Sequence, residues 1–187
     1  MRSTGLISLI IFIVVSFLLE ACGASSTVPT GPSLLSMTLT SAAFAEGGAI
    51  PTRYTYTLSG QCNGDNVSPP LTWMGVPTRT QSLALVMVDP DAGGWVHWVL
   101  FNLPADAMNL PEAVGGPGVG VKGRNDFGEL GYGGPCPPSG THRYVFTLYA
   151  LDSMLSLPEG ASHTDVATAM QGHILGRVQL TGRRSRE

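Results

Sequence analysis

Charge is scarce in this chain, and lysine most of all. Lys122 is the only lysine in 187 residues, and Asp, Glu, Lys and Arg together make up 12% of them. The formal net charge is −3. No basic footprint is available for a nucleic acid, so none is expected as a partner. Internal repeats are missing, and no apolar run reaches the roughly 20 residues that a membrane span needs. There is no G-x-S-x-G elbow and no nucleophile clearly paired with a base; Ser139 beside Gly140 is a weak candidate. Gly118 to Gly123 matches G-x-G-x-x-G by letter, but no strand-turn-helix unit surrounds it, and no Walker Gly-Lys-Ser/Thr follows. His97, His142 and Asp89 could ligate zinc in principle. Short-spaced pairs such as H-x-x-x-H are lacking, so neither a metal nor another cofactor is expected.

What is present begins with an export pattern. Arg2 precedes an apolar run from Leu6 to Leu19, broken only by Ser8 and Ser16. That combination reads as a signal segment, residues 1–21. Leu19-Glu20-Ala21-Cys22 resembles a bacterial lipoprotein box, with lipid on Cys22, although Glu20 stands where a small or apolar residue is usual. An uncleaved anchor helix is the other reading, and both place the rest of the chain outside the cytoplasmic membrane. Residues 22–36 are rich in Gly, Ala, Ser, Thr and Pro without an apolar period, and read as a tether to a cell-envelope membrane. One folded domain then occupies residues 37–187.

Within that domain, Gly and Pro punctuate short apolar stretches. Phe44 to Leu58 reads as an early strand. Ser82 to Val88 is a continuous apolar run too short for a helix, which predicts a buried central strand ending at Asp89-Pro90-Asp91. Trp95 to Leu103 is a further strand, with His97, Val99 and Phe101 expected on one face and Trp98, Leu100 and Asn102 on the other. Gly115 to Gly123 reads as loop. Ser162 to Ile174 carries helical spacing in Val166, Ala169, Met170 and Ile174, with Ser162 as cap and Asp165 in the first turn. Gly176 to Gly182 suits a closing strand. Sequence-adjacent strands of this kind predict antiparallel sheets packed face to face, with one or two small peripheral helices. The tryptophans Trp73, Trp95 and Trp98 are expected in the core or a pocket wall, and Met74, Met87, Met154 and Met170 in packing.

One stretch has the character of a site. Seven of the ten residues from Gly131 to Gly140 are Gly or Pro. A stiffened loop with exposed backbone N–H groups is expected there, a concavity suited to anions. From His142 onward the residues favour a strand, which sets His142, Tyr144 and Phe146 on one face and Arg143, Val145 and Thr147 on the other. Arg143 points away and is expected at the surface or in an ion pair, with Asp152 or Asp126 as candidate partners.

Asp89-Pro90-Asp91-Ala92, His97-Trp98, Asn125-Asp126-Phe127-Gly128, Gly131 to Pro138, His142-Arg143-Tyr144 and Ala150-Leu151-Asp152 together resemble the phosphatidylethanolamine-binding proteins. The bacterial Raf-kinase-inhibitor-like branch is the nearest likeness. The resemblance runs from about Phe44 to Gly182. It implies two packed antiparallel sheets and a small pocket for phosphate-type anions, formed by Asp89, His97, Gly134, Pro135, His142 and Tyr144. Gly93 departs from the pattern, where the family usually has proline, and a looser pocket edge is expected. The C-terminal helix of eukaryotic members is not expected after Gly182.

The chemistry of these residues agrees with that implication. Two imidazoles, a phenol and the backbone N–H of Gly134 supply donors for phosphate oxygens, and charge-assisted bonds are the stronger ones. Asp89 is unsuited to touch an anion directly, and is better used to hold a histidine in one tautomer and favour its protonated form. Binding is then expected to tighten at mildly acidic pH. Each part also has a plainer reading: a strand His is often structural, and Asp-Pro-Asp often a simple turn.

With Cys22 given to lipid, Cys62 and Cys136 remain. Two such residues in an exported domain usually pair, and the alternative is a reactive Cys136 thiol near His142. Three functions stay open. A binding protein for a small phosphate-type headgroup or similar anion is favoured, followed by an inhibitor of a partner protease or kinase. A small-substrate hydrolase using Asp89 with His97 or His142 comes last, so no enzyme activity is expected. A homodimer remains open.

Overall fold

The computed structural model describes residues 36–114 and 119–186. The export segment, Cys22 and all of the tether except Ser36 lie outside the described residues, as does 115–118 of the expected glycine-rich loop.

In chain order the strands are β1 (Thr38–Thr40), β2 (Thr57–Leu58), β3 (Cys62–Asn63), β4 (Leu71–Met74), β5 (Ser82–Asp89), β6 (Trp95–Pro104), β7 (Asn109–Leu110), β8 (Val121–Lys122), β9 (Thr141–Leu151) and β10 (Ile174–Ser185). A single α-helix, α1 (His163–Ala169), lies between β9 and β10 among the described residues. The strands form a five-stranded sheet ordered β10-β9-β5-β6-β8, a three-stranded sheet ordered β1-β4-β7, and the hairpin β2-β3. All strand pairs are antiparallel. The expectation of a mainly β, antiparallel architecture with a small peripheral helix holds.

The five-stranded sheet buries both faces. On one, Leu85, Met87, Leu100, Tyr144, Phe146 and Leu180 pack with Leu39, Leu71, Trp73 and Leu110 of the smaller sheet. On the other, Ala84, Val99, Phe101 and Leu151 pack with Val166 and Met170 at α1 and with Leu155 and Ala161. Cover on both sides explains why β5 reads as an unbroken apolar run rather than an alternating one.

Three expected elements are corrected. Within the expected loop Gly115 to Gly123, Val121–Lys122 form β8. Phe44 to Leu58 is not a strand: it carries a left-handed glycine at Gly47, a 3-10 turn at Thr52–Tyr54 and only the short β2. Gly47, Gly48 and Pro51 interrupt the ladder, while Ile50 and Tyr54 still reach the core. The helix is shorter than Ser162 to Ile174. Ser162 and Asp165 do form a reciprocal capping box. The helix stops at Ala169, however, and Gly172 turns left-handed just beyond it. Ile174 therefore opens β10 and is exposed. Met87 and Met170 are buried as expected, but Met74, Met154 and Trp95 are exposed.

Candidate functional site

The site grows from the ends of β5, β6 and β9. β5 ends in Asp89, whose Oδ1 accepts hydrogen bonds from the backbone N–H groups of Asp91 (2.9 Å) and Ala92 (3.0 Å). Pro90 starts this 3-10 turn, and Gly93 closes it with φ 68°. A proline, held near φ −65°, cannot adopt that backbone, so the Gly at this position has a definite conformational role. Capping uses one carboxylate oxygen of Asp89. The other, Oδ2, accepts a bond from His142 Nδ1 at 2.7 Å. This contact fixes the His142 tautomer with the proton on Nδ1, and Nε2 is its remaining polar atom.

His97 reaches the same place through a break in strand regularity. Along β5 and β6, Met87 faces Trp98 while the next residue, Val88, faces Val96. His97 is therefore the extra residue of a β-bulge, and a bulge re-aims its side chain. Strict alternation assigns His97 to the face of Val99 and Phe101. The bulge instead turns its ring against Tyr144, at 5.1 Å between centroids. Tyr144 belongs to the opposite face, with Phe146. A second irregularity between Leu83 and Leu85 lets Asn102 adopt φ 55° and leave its expected face, where it bonds reciprocally to the backbone of Leu155.

The glycine-rich loop locks His97. The His97 Nδ1–H donates to the Gly133 carbonyl at 2.7 Å, and the Gly133 N–H donates back to the His97 carbonyl at 2.7 Å. Burial holds the His97 pKa below its ordinary 6.5, against the opposing pull of the Gly133 carbonyl and Asp89. Phe127 stands edge-on to His97 and is stacked on Tyr56. It is presented by Asn125, whose Oδ1 accepts from the N–H groups of Phe127 and Glu129.

Tyr144 occupies the centre. Its hydroxyl is buried and has no hydrogen-bond partner. Burial first, and then the nearby Asp89 carboxylate, push its pKa far above 10. Asp89 is close enough to act on the hydroxyl, but no bond of ordinary geometry links them. Asp89, His97 and Tyr144 are only 2%, 3% and 0% exposed, so the His142 side chain, at 13%, is the most accessible part of the cluster.

Thus Asp89, His97, His142 and Tyr144 converge as expected, while two proposed members behave differently. The Gly134 N–H is already used, donating to Asn66 Oδ1 at 2.8 Å. The role of Gly134 is close packing: a Cβ there would lie 2.5 Å from the Tyr54 carbonyl oxygen. Pro135 offers its carbonyl to the Tyr56 N–H, which pins the loop to the segment before β2. Cys62 and Cys136 are joined by a disulfide, with Cα atoms 5.9 Å apart, tying the same loop to β3. Arg143 pairs with neither Asp152 nor Asp126. Its guanidinium grips Asp91 through two bonds of 3.0 and 2.6 Å, and its backbone N–H reaches the same carboxylate. This holds the Asp91 pKa well below the usual carboxylate range. Asp126 instead accepts the Val96 N–H, and Asp152 pairs with His173. Among the described residues no group of three His, Cys, Asp or Glu side chains is placed to hold a metal ion.

An antiparallel β protein with a buried Asp/His/His/Tyr cluster at one end of its larger sheet is the class this geometry defines. The family model for the phosphatidylethanolamine-binding protein matches residues 40–185, and the chain belongs to that family. A UPF0098 protein of Methanothermobacter thermautotrophicus is 53% identical over 152 residues, covering 78% of this chain and 97% of the relative. UPF0098 protein YbhB of Escherichia coli is 41% identical over 155 residues, covering 78% and 98%. The crystal structure of CT736 from Chlamydia trachomatis, a phosphatidylethanolamine-binding protein homolog, superposes with a TM-score of 0.74 at 39% identity, covering 82% of this chain and 99% of that one. E. coli YbcL, described as a member of the mammalian family, gives 0.75 at 34% identity, covering 81% and 99%.

Proposed function

We propose that this protein is an extracytoplasmic binding protein that takes a small phosphate-type anion, as a free ion or as a headgroup, at Asp89, His97, His142 and Tyr144. The observation that carries this reading is the Tyr144 hydroxyl, a buried donor that makes no hydrogen bond of ordinary geometry, on a ring packed edge-on against the His97 imidazole. Leaving such a group unbonded costs roughly 1–3 kcal/mol, and a ligand oxygen at that place removes the cost. Asp89 acts through His142, not on the ligand, since its two oxygens are already engaged by the turn and the ring. Burial disfavours the charged form of His97 and a bound anion favours it, so binding tightens as pH falls. Nothing in the cluster requires turnover: the protein binds and is not an enzyme.

Cys22 carries the lipid in this reading, and the tether holds the domain at the envelope membrane. Titration calorimetry with phosphate, phosphoethanolamine and acetate tests the ligand class. Saturable binding of the two phosphates, much weaker for acetate and lost in His142→Ala, is expected; affinity that stays flat or increases from pH 5.5 to 8 contradicts the account. Intact mass of the protein from membranes tests the anchor, with an acylated chain beginning at Cys22 expected and an unprocessed N-terminus contradicting it.

A further inference from the structure

We infer that the end of the domain opposite the anion site rests on the lipid bilayer that anchors the chain, so that the site opens away from the membrane and serves anions dissolved in the aqueous compartment. The inference rests on the lipid-anchored reading proposed above. Strand register defines the two ends. Ser82, at the start of β5, faces Pro104 at the end of β6 and Leu151 at the end of β9, and Leu151 faces Ile174 at the start of β10. Asp89 closes β5 at the other end, opposite Trp95. The seven steps from Ser82 to Asp89 separate the ends by roughly 23 Å, at about 3.3 Å per residue.

Exposed apolar side chains gather at the Ser82 end. Seven large apolar residues are exposed among the described ones, and four of them, Met74, Met108, Met154 and Ile174, lie there. Met74 closes β4 just before the turn into β5, and the Met108 carbonyl accepts the Trp73 N–H beside it. Met154 follows the end of β9. Between the turns at 75–80 and 104–108 runs a groove of about 600 Å³, walled by Met74, Val76, Pro77, Ala107 and Met108. An exposed apolar patch of this kind marks an interaction surface, and unbranched thioether side chains adapt to an irregular apolar partner such as acyl chains. The two turns carry one charge of each sign, Arg79 and Asp106, so they repel neither zwitterionic nor anionic headgroups.

The entry of the chain identifies the partner as lipid. β1 begins at this same end: Thr38 pairs with Met74, and a Cβ on Gly75 would lie 2.7 Å from the Ser36 carbonyl oxygen. Residues 23–35, thirteen in number, separate Ser36 from Cys22. Even fully extended, a segment of that length reaches at most about 45 Å. A lipid on Cys22 therefore keeps the methionine-rich end within that distance of the bilayer, where weak apolar contact suffices because the partner is always at hand. Docked this way, Asp89, His97 and His142 stand a sheet's length from the lipid. A dissolved ion fits that orientation, and a headgroup of the anchoring bilayer does not.

Hydrogen peroxide footprinting tests this on the full chain, purified from membranes and reconstituted in phosphatidylethanolamine–phosphatidylglycerol vesicles, with free methionine as the rate standard. Sulfoxide formation at Met74 and Met108 is expected to run about tenfold slower than in the standard. Met108→Asp, which places a charge on the docking face, is expected to restore the Met74 rate and leave phosphate affinity unchanged. Acrylamide, which reaches the exposed Trp95 but not the buried Trp73 and Trp98, is expected to quench wild type and Met108→Asp equally in vesicles. Oxidation of Met74 and Met108 at the rate of the standard overturns the inference, as does protection of Met74 that persists in Met108→Asp. Protection that fades as lipid is added at constant protein assigns the cover to a second copy of the chain, and quenching that rises in Met108→Asp puts the site end on the membrane; each overturns it too. Should Met108→Asp fail to fold, the wild-type rates decide alone. Intact mass of the same sample separates the underlying reading: a chain without lipid on Cys22 removes the anchor and this inference with it, whereas a lipidated chain with unprotected methionines overturns the docking alone.

Discussion

Replacing Tyr144 with Phe removes one hydroxyl that is buried and unbonded and leaves the ring packed on His97 and the core. Loss of an unsatisfied polar group is expected to raise the stability of the ligand-free protein by about 1 kcal/mol, read from chemical denaturation. The same change is expected to weaken phosphate binding about tenfold, since the ligand then loses a donor. Lower stability with unchanged binding contradicts the role given to this hydroxyl. His97 carries a separate prediction. Its folded pKa lies below the 6.5 of the unfolded chain, so the unfolded state binds the extra proton first. The stabilisation is complete above pH 6.5 and is lost as pH falls through the lower folded value. His97→Gln is expected to flatten the acid side of the Tm-versus-pH curve; an unaltered acid limb counts against a buried neutral ring.

At the scale of elements, the disulfide and the bulge do most to fix the loop and the rings. The Cys62–Cys136 bridge spans 74 residues, and closing a loop of that length stabilises by about 4 kcal/mol in the chain-entropy model. Cys62→Ser with Cys136→Ser is expected to lower the denaturation midpoint correspondingly and to weaken phosphate binding, because the Gly133 carbonyl that orients His97 sits in the tethered loop. Full retention of both properties rules out that coupling.

The elements also show what was legible beforehand. The β5 run, β6, β9, the Ser162 cap and the convergence of Asp89, His142 and Tyr144 follow from composition, strand alternation and the family motifs. The bulge at His97 was hidden, because nothing in Val96-His97-Trp98 distinguishes a regular strand from one with an extra residue. The fate of the Gly134 N–H was hidden too, since its partner Asn66 is distant in sequence and acts through its side chain. The shortfall of α1 has a local cause that could have been weighed, namely Gly172 within the expected helix.

For the whole molecule, the larger sheet is covered by the small sheet on one side and by α1 and its flanking loops on the other. That cover leaves the ends of β5, β6 and β9 as the place where polar groups gather at an otherwise apolar core. The central claim is that His97 and His142, brought from two strands, act on one bound anion. NMR of the imidazole ring protons during a phosphate titration tests it most directly. Signals of both rings are expected to shift together along one saturation curve, and both responses to disappear in Tyr144→Phe at the same phosphate concentrations. Rings that stay unperturbed, or that follow unrelated curves, contradict a shared site.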